Sequence, residues 1–195
     1  DEGVKIIIGP VFNENKKKLD QLKELTFLSF TNKLLDNPEN VISAGVNSIS
    51  QLNSIMKFQD VFNLERSIFL IPFSDFKDEI EHAIKKTGIK LKDKFIYDLD
   101  PTLLTSQIEE ITRYKQRKQN LQDEIKRVEN SNLSNKEKII MELEKKDTLG
   151  GINFDSVIIG AFDENLKSVT TSLLYTDVSS KRVSYVTLNQ WFDQS

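Results

Sequence analysis

The 195-residue chain contains no cysteine. Disulfides, thiolate nucleophiles and cysteine-ligated zinc are therefore excluded, while the choice between a reducing and an oxidising compartment stays open. One histidine, His82, rules out any site built on two or three imidazoles within the chain. No apolar run approaches the ~20 residues of a membrane-spanning helix, and no signal-peptide pattern stands at the start. Neither charge sign dominates: 27 basic against 30 acidic residues give a net charge of −3, with no basic stripe of the kind a nucleic-acid groove needs. The glycine motifs of nucleotide sites are missing too. No Gly-x-Gly-x-x-Gly, Walker loop or Gly-x-Ser-x-Gly elbow follows a strand. Ser29 and Ser74 lie near strand ends without a base to activate them, and His82, between Glu81 and Ala83, reads as a structural helix residue. Nothing assembles nucleophile, base and oxyanion donors. The expectation is a non-catalytic binding protein with no cofactor and no metal.

What is present is an alternation of apolar strands and amphipathic helices. Ile6-Ile7-Ile8 runs into Gly9-Pro10, as a buried parallel strand does when it delivers its carboxyl end to a loop. In open α/β sheets ligands sit beyond such ends. Residues 16–25 place Leu19, Leu22 and Leu25 on one helical face. Further strands are expected at 26–32, 41–45, 67–72, 94–99, 154–160 and 182–188. Asn47 or Ser48 caps a helix whose buried stripe is Ile49, Leu52, Ile55, Met56 and Phe62. Ser74-Asp75 caps a second, which carries Phe76, Ile80, Ala83 and Ile84 and ends at Gly88. Asp163 and Glu164 open a third, carrying Leu166, Val169, Leu173 and Leu174.

Residues 102–147 depart from this alternation. Leu104, Ile108, Ile111, Leu121, Ile125 and Val128 recur at helical spacing in a very polar context, and Asn130-Ser131-Asn132 breaks the run. A second helix, 134–146, carries Ile139, Ile140 and Leu143. The pattern predicts a helical hairpin inserted between two units of the sheet. It is either a charged, solvated insertion packed along one stripe or a partner-docking arm. Asp98 and Asp100 read as turn and cap residues rather than a metal or acid–base pair. The fold class is α/β, with doubly wound parallel sheets.

Several short stretches, in order, resemble the type I periplasmic binding proteins, the leucine/isoleucine/valine-binding superfamily. Ile7-Ile8-Gly9-Pro10-Val11-Phe12 and Leu28-Ser29-Phe30-Thr31-Asn32 are similar to its strand ending in Gly-Pro and its strand ending in Ser-x-x-Thr-Asn. Ser74-Asp75-Phe76 stands where that family often has Asp-Tyr-Gly. Residues 154–160 resemble its "Phe-Asp-Ala-Val" strand, and Asn189-Gln190-Trp191 its "Gly-Thr-x-x-Trp" ending. Thr112-Arg113-Tyr114, Arg117, Leu121 and Asp147-Thr148 resemble the penicillin-binding protein activator branch, bacterial envelope proteins that include lipoproteins.

The resemblance implies two lobes around a cleft: a partial first lobe over 1–66, a second over 67–188 with the insertion at 102–147, and a crossover at 189–195. It implies ligand contacts at Asn13, Ser29 and Thr31 in the first lobe and at Ser74, Phe162, Asn189 and Trp191 beyond it. Hydroxyls and backbone N–H groups there could hold an α-carboxylate. Asn189 and Gln190 are neutral where amino-acid binders of the family place an acid; Asp163 could substitute, or else cap its helix. The implied partner is a small polar ligand for ABC-type transport, or a cell-wall synthase regulated from the envelope. The implied location is the periplasm, with lipid anchoring through an absent N-terminal segment. A missing N-terminal segment or a second copy is expected to complete the first lobe, whose opening strand would otherwise be uncovered.

Overall fold

A computed structural model describes residue 3 and residues 5–10, 18–31 and 37–188. Its contacts divide the chain into two compact units. One comprises Asp1–Leu64, Ser74–Lys90 and Thr187–Ser195; the other comprises Glu65–Phe73 and Leu91–Val186.

The first unit holds a parallel sheet of three strands in the order β1 (Ile6–Ile8), β2 (Thr26–Ser29), β3 (Val41–Ser43). Ile7, Phe27 and Val41 stand in register, as do Ile8, Leu28 and Ile42. The first row faces inward, with Phe27 and Val41 buried, while Ile6, Ile8 and Ile42 are exposed on the opposite face. Helices α1 (Ser48–Phe62) and α2 (Lys77–Thr87) pack on each other. Asn47 caps α1 through a reciprocal box with Ser50, which satisfies two otherwise orphaned N–H groups. Gly88 ends α2 in the left-handed conformation, as its position predicts.

Three local expectations are corrected here. The helix expected over 16–25 is, among its described residues, a 3₁₀ turn at 18–21 followed by further i→i+3 turns. The reason is Asn40, whose side-chain amide donates to the carbonyls of Leu19, Leu22 and Leu25 at 3.0, 3.0 and 3.2 Å. One side chain thereby satisfies acceptors that an α-helix would satisfy itself. Phe62, expected in the buried stripe of α1, is exposed. It is the last residue of the helix, Asn63 turns the chain in a left-handed conformation, and the Phe62 ring packs at a tilt against Phe58, centroids 4.5 Å apart. The cap expected from Ser74-Asp75 is not made by their side chains; Phe76 holds the N-cap position of α2 without a side-chain bond.

The second unit is built on the sheet β5-β4-β6-β7, formed by Asp93–Tyr97, Ser67–Pro72, Ser156–Ile159 and Ser184–Thr187. Both β5 and β6 run parallel to β4. Every residue of β4 and β6 is buried, which explains the apolar runs that follow Ser67 and Ser156. On one face, Ile68, Leu70, Val157 and Ile159 pack with Leu104, Ile108, Val169 and Leu173 from α3 (Pro101–Ile111) and α6 (Asp163–Tyr175). At about 1.5–3 kcal/mol per fully buried aliphatic side chain, this layer dominates the unit's stability. Phe154 enters that core, while the Asp155 carboxylate accepts the Arg66 N–H at 3.0–3.1 Å and clamps the starts of β4 and β6 together. Ser67 and Ser156, in register and buried, hydrogen-bond to each other.

The insertion is a hairpin of α4 (Tyr114–Glu129) and α5 (Lys136–Glu144), with a small core of Leu121, Val128 and Leu143. A break the spacing does not announce separates α3 from α4: Arg113 takes a positive φ of 54°. The buried Arg117 fixes that corner. Its guanidinium donates to the Thr112 carbonyl at 3.0 Å, to Thr148 Oγ1 at 2.9 Å and to the Thr176 carbonyl. Asp177 lies 3.8 Å away and is also held by Thr148 and Arg182. Burial lowers the pKa of Arg117 and Asp177 raises it again.

Candidate functional site

In the first unit the three strands end at one place. Ser29 is fully buried at the end of β2, and its hydroxyl donates to the Pro10 carbonyl at 2.6 Å while accepting the Thr31 N–H at 3.4 Å. The Ser43 hydroxyl, at the end of β3, donates to the Thr31 carbonyl at 2.7 Å. The Ala44 N–H donates to the Ser29 carbonyl at 2.8 Å. Gly45 then passes so close that a Cβ there would lie 2.4 Å from the Phe30 carbonyl oxygen and 2.5 Å from that of Thr31. Ser29 and Thr31 are thus brought together with Pro10, Ser43 and Gly45. The Ser29 proton is committed to the Pro10 carbonyl, which ties the ends of β1 and β2 together. Ser43 and Gly45 were read from the sequence only as parts of a short strand; the signal for their role is a Ser-Ala-Gly run where a strand stops.

Ser74 follows β4, and its hydroxyl oxygen is buried with no hydrogen-bond partner among the described residues. An orphaned buried hydroxyl costs about 1–3 kcal/mol, so its persistence asks for a ligand or a water.

The second unit has its own strand ends. The Phe73 N–H donates to the Tyr97 carbonyl at 2.9 Å, and the Phe73 ring is exposed. Tyr97 closes β5 with its ring in the core and its hydroxyl without a partner among the described residues; burial raises the pKa of that phenol. Asp98 accepts the Asp100 N–H at 2.8 Å, and Asp100 caps α3 through the N–H groups of Thr102 and Leu103, which settles the pair as turn and cap. Past β6, the half-buried Phe162 is the N-cap of α6 and Asp163 follows with a positive φ of 48°. Asp163 is therefore the first helical residue and not the cap, although its charge still suits the positive end of the helix.

Of the other expected contacts, Asn13, Asn189 and Trp191 lie outside the described residues. No group of three or more His, Cys, Asp or Glu side chains suited to a metal occurs among the described residues. No described helix is long and apolar enough to cross a membrane. Two grooves, of about 460 and 320 Å³, run along α3 and the start of α4, share Ser106 and Glu109, and take no residue from a strand end.

No family model and no curated protein matches the chain. Solved structures do match its fold. The C-domain of LpoA (YraM) from Haemophilus influenzae, a regulator of PBP1A, superposes with a TM-score of 0.52 at 12% identity, covering 95% of this chain and 48% of that one. An ABC transporter substrate-binding protein from Desulfitobacterium hafniense gives 0.53 at 13% identity, covering 98% and 48%. A branched-chain amino acid ABC transporter periplasmic ligand-binding protein from Burkholderia xenovorans LB400 gives 0.51 at 8% identity, covering 96% and 43%. By these descriptions the neighbours are binding proteins or a regulator, not enzymes. The chain spans about half the length of these solved structures, and its parallel α/β architecture is the fold of type I periplasmic ligand-binding receptors and of the LpoA C-domain.

Proposed function

We propose that the chain is a non-catalytic receptor module that takes a small polar ligand, such as an amino acid, at the carboxyl ends of its parallel strands, in the service of ABC-type transport across the cell envelope. The observation that carries this reading is the set of strand ends in the first unit. The Ser29 and Ser43 hydroxyls both bond the Thr31 main chain, Ser29 also reaches the Pro10 carbonyl, and Gly45 keeps side-chain bulk away from that backbone. The orphaned Ser74 hydroxyl adds a group that a ligand would satisfy. Asn13, Phe162, Asn189 and Trp191 belong to the same proposal through the family resemblance. The location that goes with it is the periplasm, with lipid anchoring as part of the proposal.

A second reading is an envelope module that regulates peptidoglycan synthesis without a small ligand. It draws on the likeness to the LpoA C-domain and on the hairpin, which Arg117 holds rigidly to the second unit. Thermal-shift and calorimetric screens of amino acids and small acids on the full-length protein separate the two. A ligand binding tighter than ~10 µM stabilises the fold by a few kcal/mol at millimolar concentration. Such a response, weakened by Ser74→Ala, supports the receptor. No response, with capture of a cell-wall synthase through residues 113–146, supports the regulator and overturns the receptor.

A further inference from the structure

Helix α1 starts at the strand ends of the first unit, and its first turn is left incomplete. Asn47 and Ser50 satisfy each other's N–H groups through the capping box, and Asn47 Nδ2 donates to the Gly45 carbonyl at 3.4 Å. Gly45 in turn lies against the Phe30 and Thr31 carbonyls, so the helix start shares a corner with Ser29, Thr31 and Ser43. Three donors of that turn remain. The N–H groups of Ser48 and Ile49, the first two helical residues, have no partner among the described residues. Neither has the Ser48 hydroxyl, although Ser48 is only 1% exposed. Side chains of an α-helix tilt toward its N-terminus, so this hydroxyl leans the way the two N–H groups point. It has given up water and gained no protein partner, which calls for an acceptor from outside. Gly45, Asn47 and Ile49 around it are only partly buried and leave an approach.

We propose that the start of α1, through Ser48 and Ile49, binds the carboxylate of a small organic acid. Charge selects that acceptor. The positive end of this 15-residue helix has no acidic side chain in its first turn, whereas α2 opens with Asp78 and Glu79 and α6 with Asp163 and Glu164. Residues 41–56 carry no charged side chain at all, in a chain that is 29% charged. The helix end is therefore not neutralised by a carboxylate of its own sequence. Nor does that run supply the Lys or Arg that a phosphate dianion favours. A partial positive charge with two N–H groups and one hydroxyl suits a single negative charge with two acceptor oxygens. The proposal deepens the receptor reading and rests on it for its biological role. It narrows the small polar ligand to a monoanionic acid and adds Ser48 to the groups that hold it.

Amide NMR of the isotope-labelled full chain, titrated with sodium propionate and with propionamide at matched ionic strength, tests it. Propionate should move the Ser48 and Ile49 resonances saturably with a Kd of about 1 mM, within reach of so small a probe. Propionamide, similar in shape but uncharged, and sodium chloride should leave them in place. Ser48→Ala should weaken propionate about tenfold, since a hydrogen bond to a charged group is lost. Its melting temperature without propionate should hold or rise, because the hydroxyl has no partner to lose. Ser48→Pro removes hydroxyl and N–H together. Proline suits the first helical position and follows an extended residue, as Asn47 is, so helicity should persist while binding falls below detection. If Ser48→Pro loses helicity, Ser48→Ala decides. No saturable shift at ~50 mM propionate, fifty times the expected Kd, would overturn the proposal. So would equal shifts with propionamide or chloride, or full affinity in Ser48→Ala. A lower melting temperature in Ser48→Ala with unchanged affinity would assign the hydroxyl to a structural water instead. The two readings fail separately. An amino acid that binds through Ser74 without moving the Ser48 amide keeps the receptor and ends this site. Propionate held at Ser48, with no acid or amino acid binding tighter than ~10 µM, keeps this site and ends the receptor.

Discussion

Arg117 shows how much one residue decides in this chain. A buried guanidinium is costly unless its donors are used, and here they reach two main-chain carbonyls and the Thr148 hydroxyl, beside Asp177. The contacts span the end of α3, the segment after α5 and the end of α6, so the side chain ties the hairpin's root to the body of its unit. Arg117→Met keeps the length and loses the fork. It leaves two carbonyls and a carboxylate short of partners, and we expect a loss of about 3 kcal/mol. Arg117→Lys should recover less than half, because a point charge cannot serve three directions. Urea unfolding checks the magnitude. Amide exchange checks the place, with protection falling first in 114–149. A loss below about 1 kcal/mol would show that the network is ornamental.

At the scale of elements, the strands were legible because burial on both faces leaves a plain signature. Residues 68–72 and 157–159 are continuous apolar runs, each behind a buried serine, and the structure finds strands there. Helix ends at Asn47, Gly88 and Asp100 were legible for the same local reason, since each side chain or φ serves its own neighbourhood. What was hidden depends on distant partners. Asn40 converts an expected helix into 3₁₀ turns from 15 to 21 residues away. The corner at Arg113 depends on Thr148 and Thr176, which no periodicity reveals. Of the strand-end cluster, Ser29 and Thr31 were readable through their likeness to a family motif, whereas Gly45 declares its role only when the strands are side by side. That role is testable. In Gly45→Ala the new Cβ would sit inside van der Waals contact of two carbonyl oxygens on rigid backbone, so the β3 end must move away from Thr31. We expect a destabilisation of about 1–3 kcal/mol in chemical unfolding, in the range of overpacked cores, and lost protection of the Ala44 amide. Unchanged stability and protection would mean the strand ends are loosely held and unsuited to a preformed site.

For the molecule as a whole, the open side of the first sheet is the feature that most constrains behaviour in solution. β1 meets β2 through the Lys5 carbonyl and the Gly9 N–H, so the backbone groups of Ile6 and Ile8 are directed to the other edge, where the described residues place no strand. Ile6 and Ile8 are 65% and 71% exposed, and Ile42, in the same face, is 54% exposed. A strand added beside β1 reaches Ile6 and Ile8 but not Ile42 on the far strand; covering those two offers roughly 3–6 kcal/mol, while association costs about 4–15 kcal/mol. A strand supplied by a second copy therefore binds weakly, whereas one supplied within the same polypeptide escapes most of that cost. The chain alone should self-associate as concentration rises, with a growing mean mass in light scattering. Ile8→Lys places a charge on that edge and face, the device by which natural sheets discourage pairing, and should hold the mass at the monomer value across the same range. Gln at the same position, polar but uncharged, should fall between the two. A native chain that stays monomeric throughout, or an Ile8→Lys variant that associates as before, would place the attraction elsewhere than on β1.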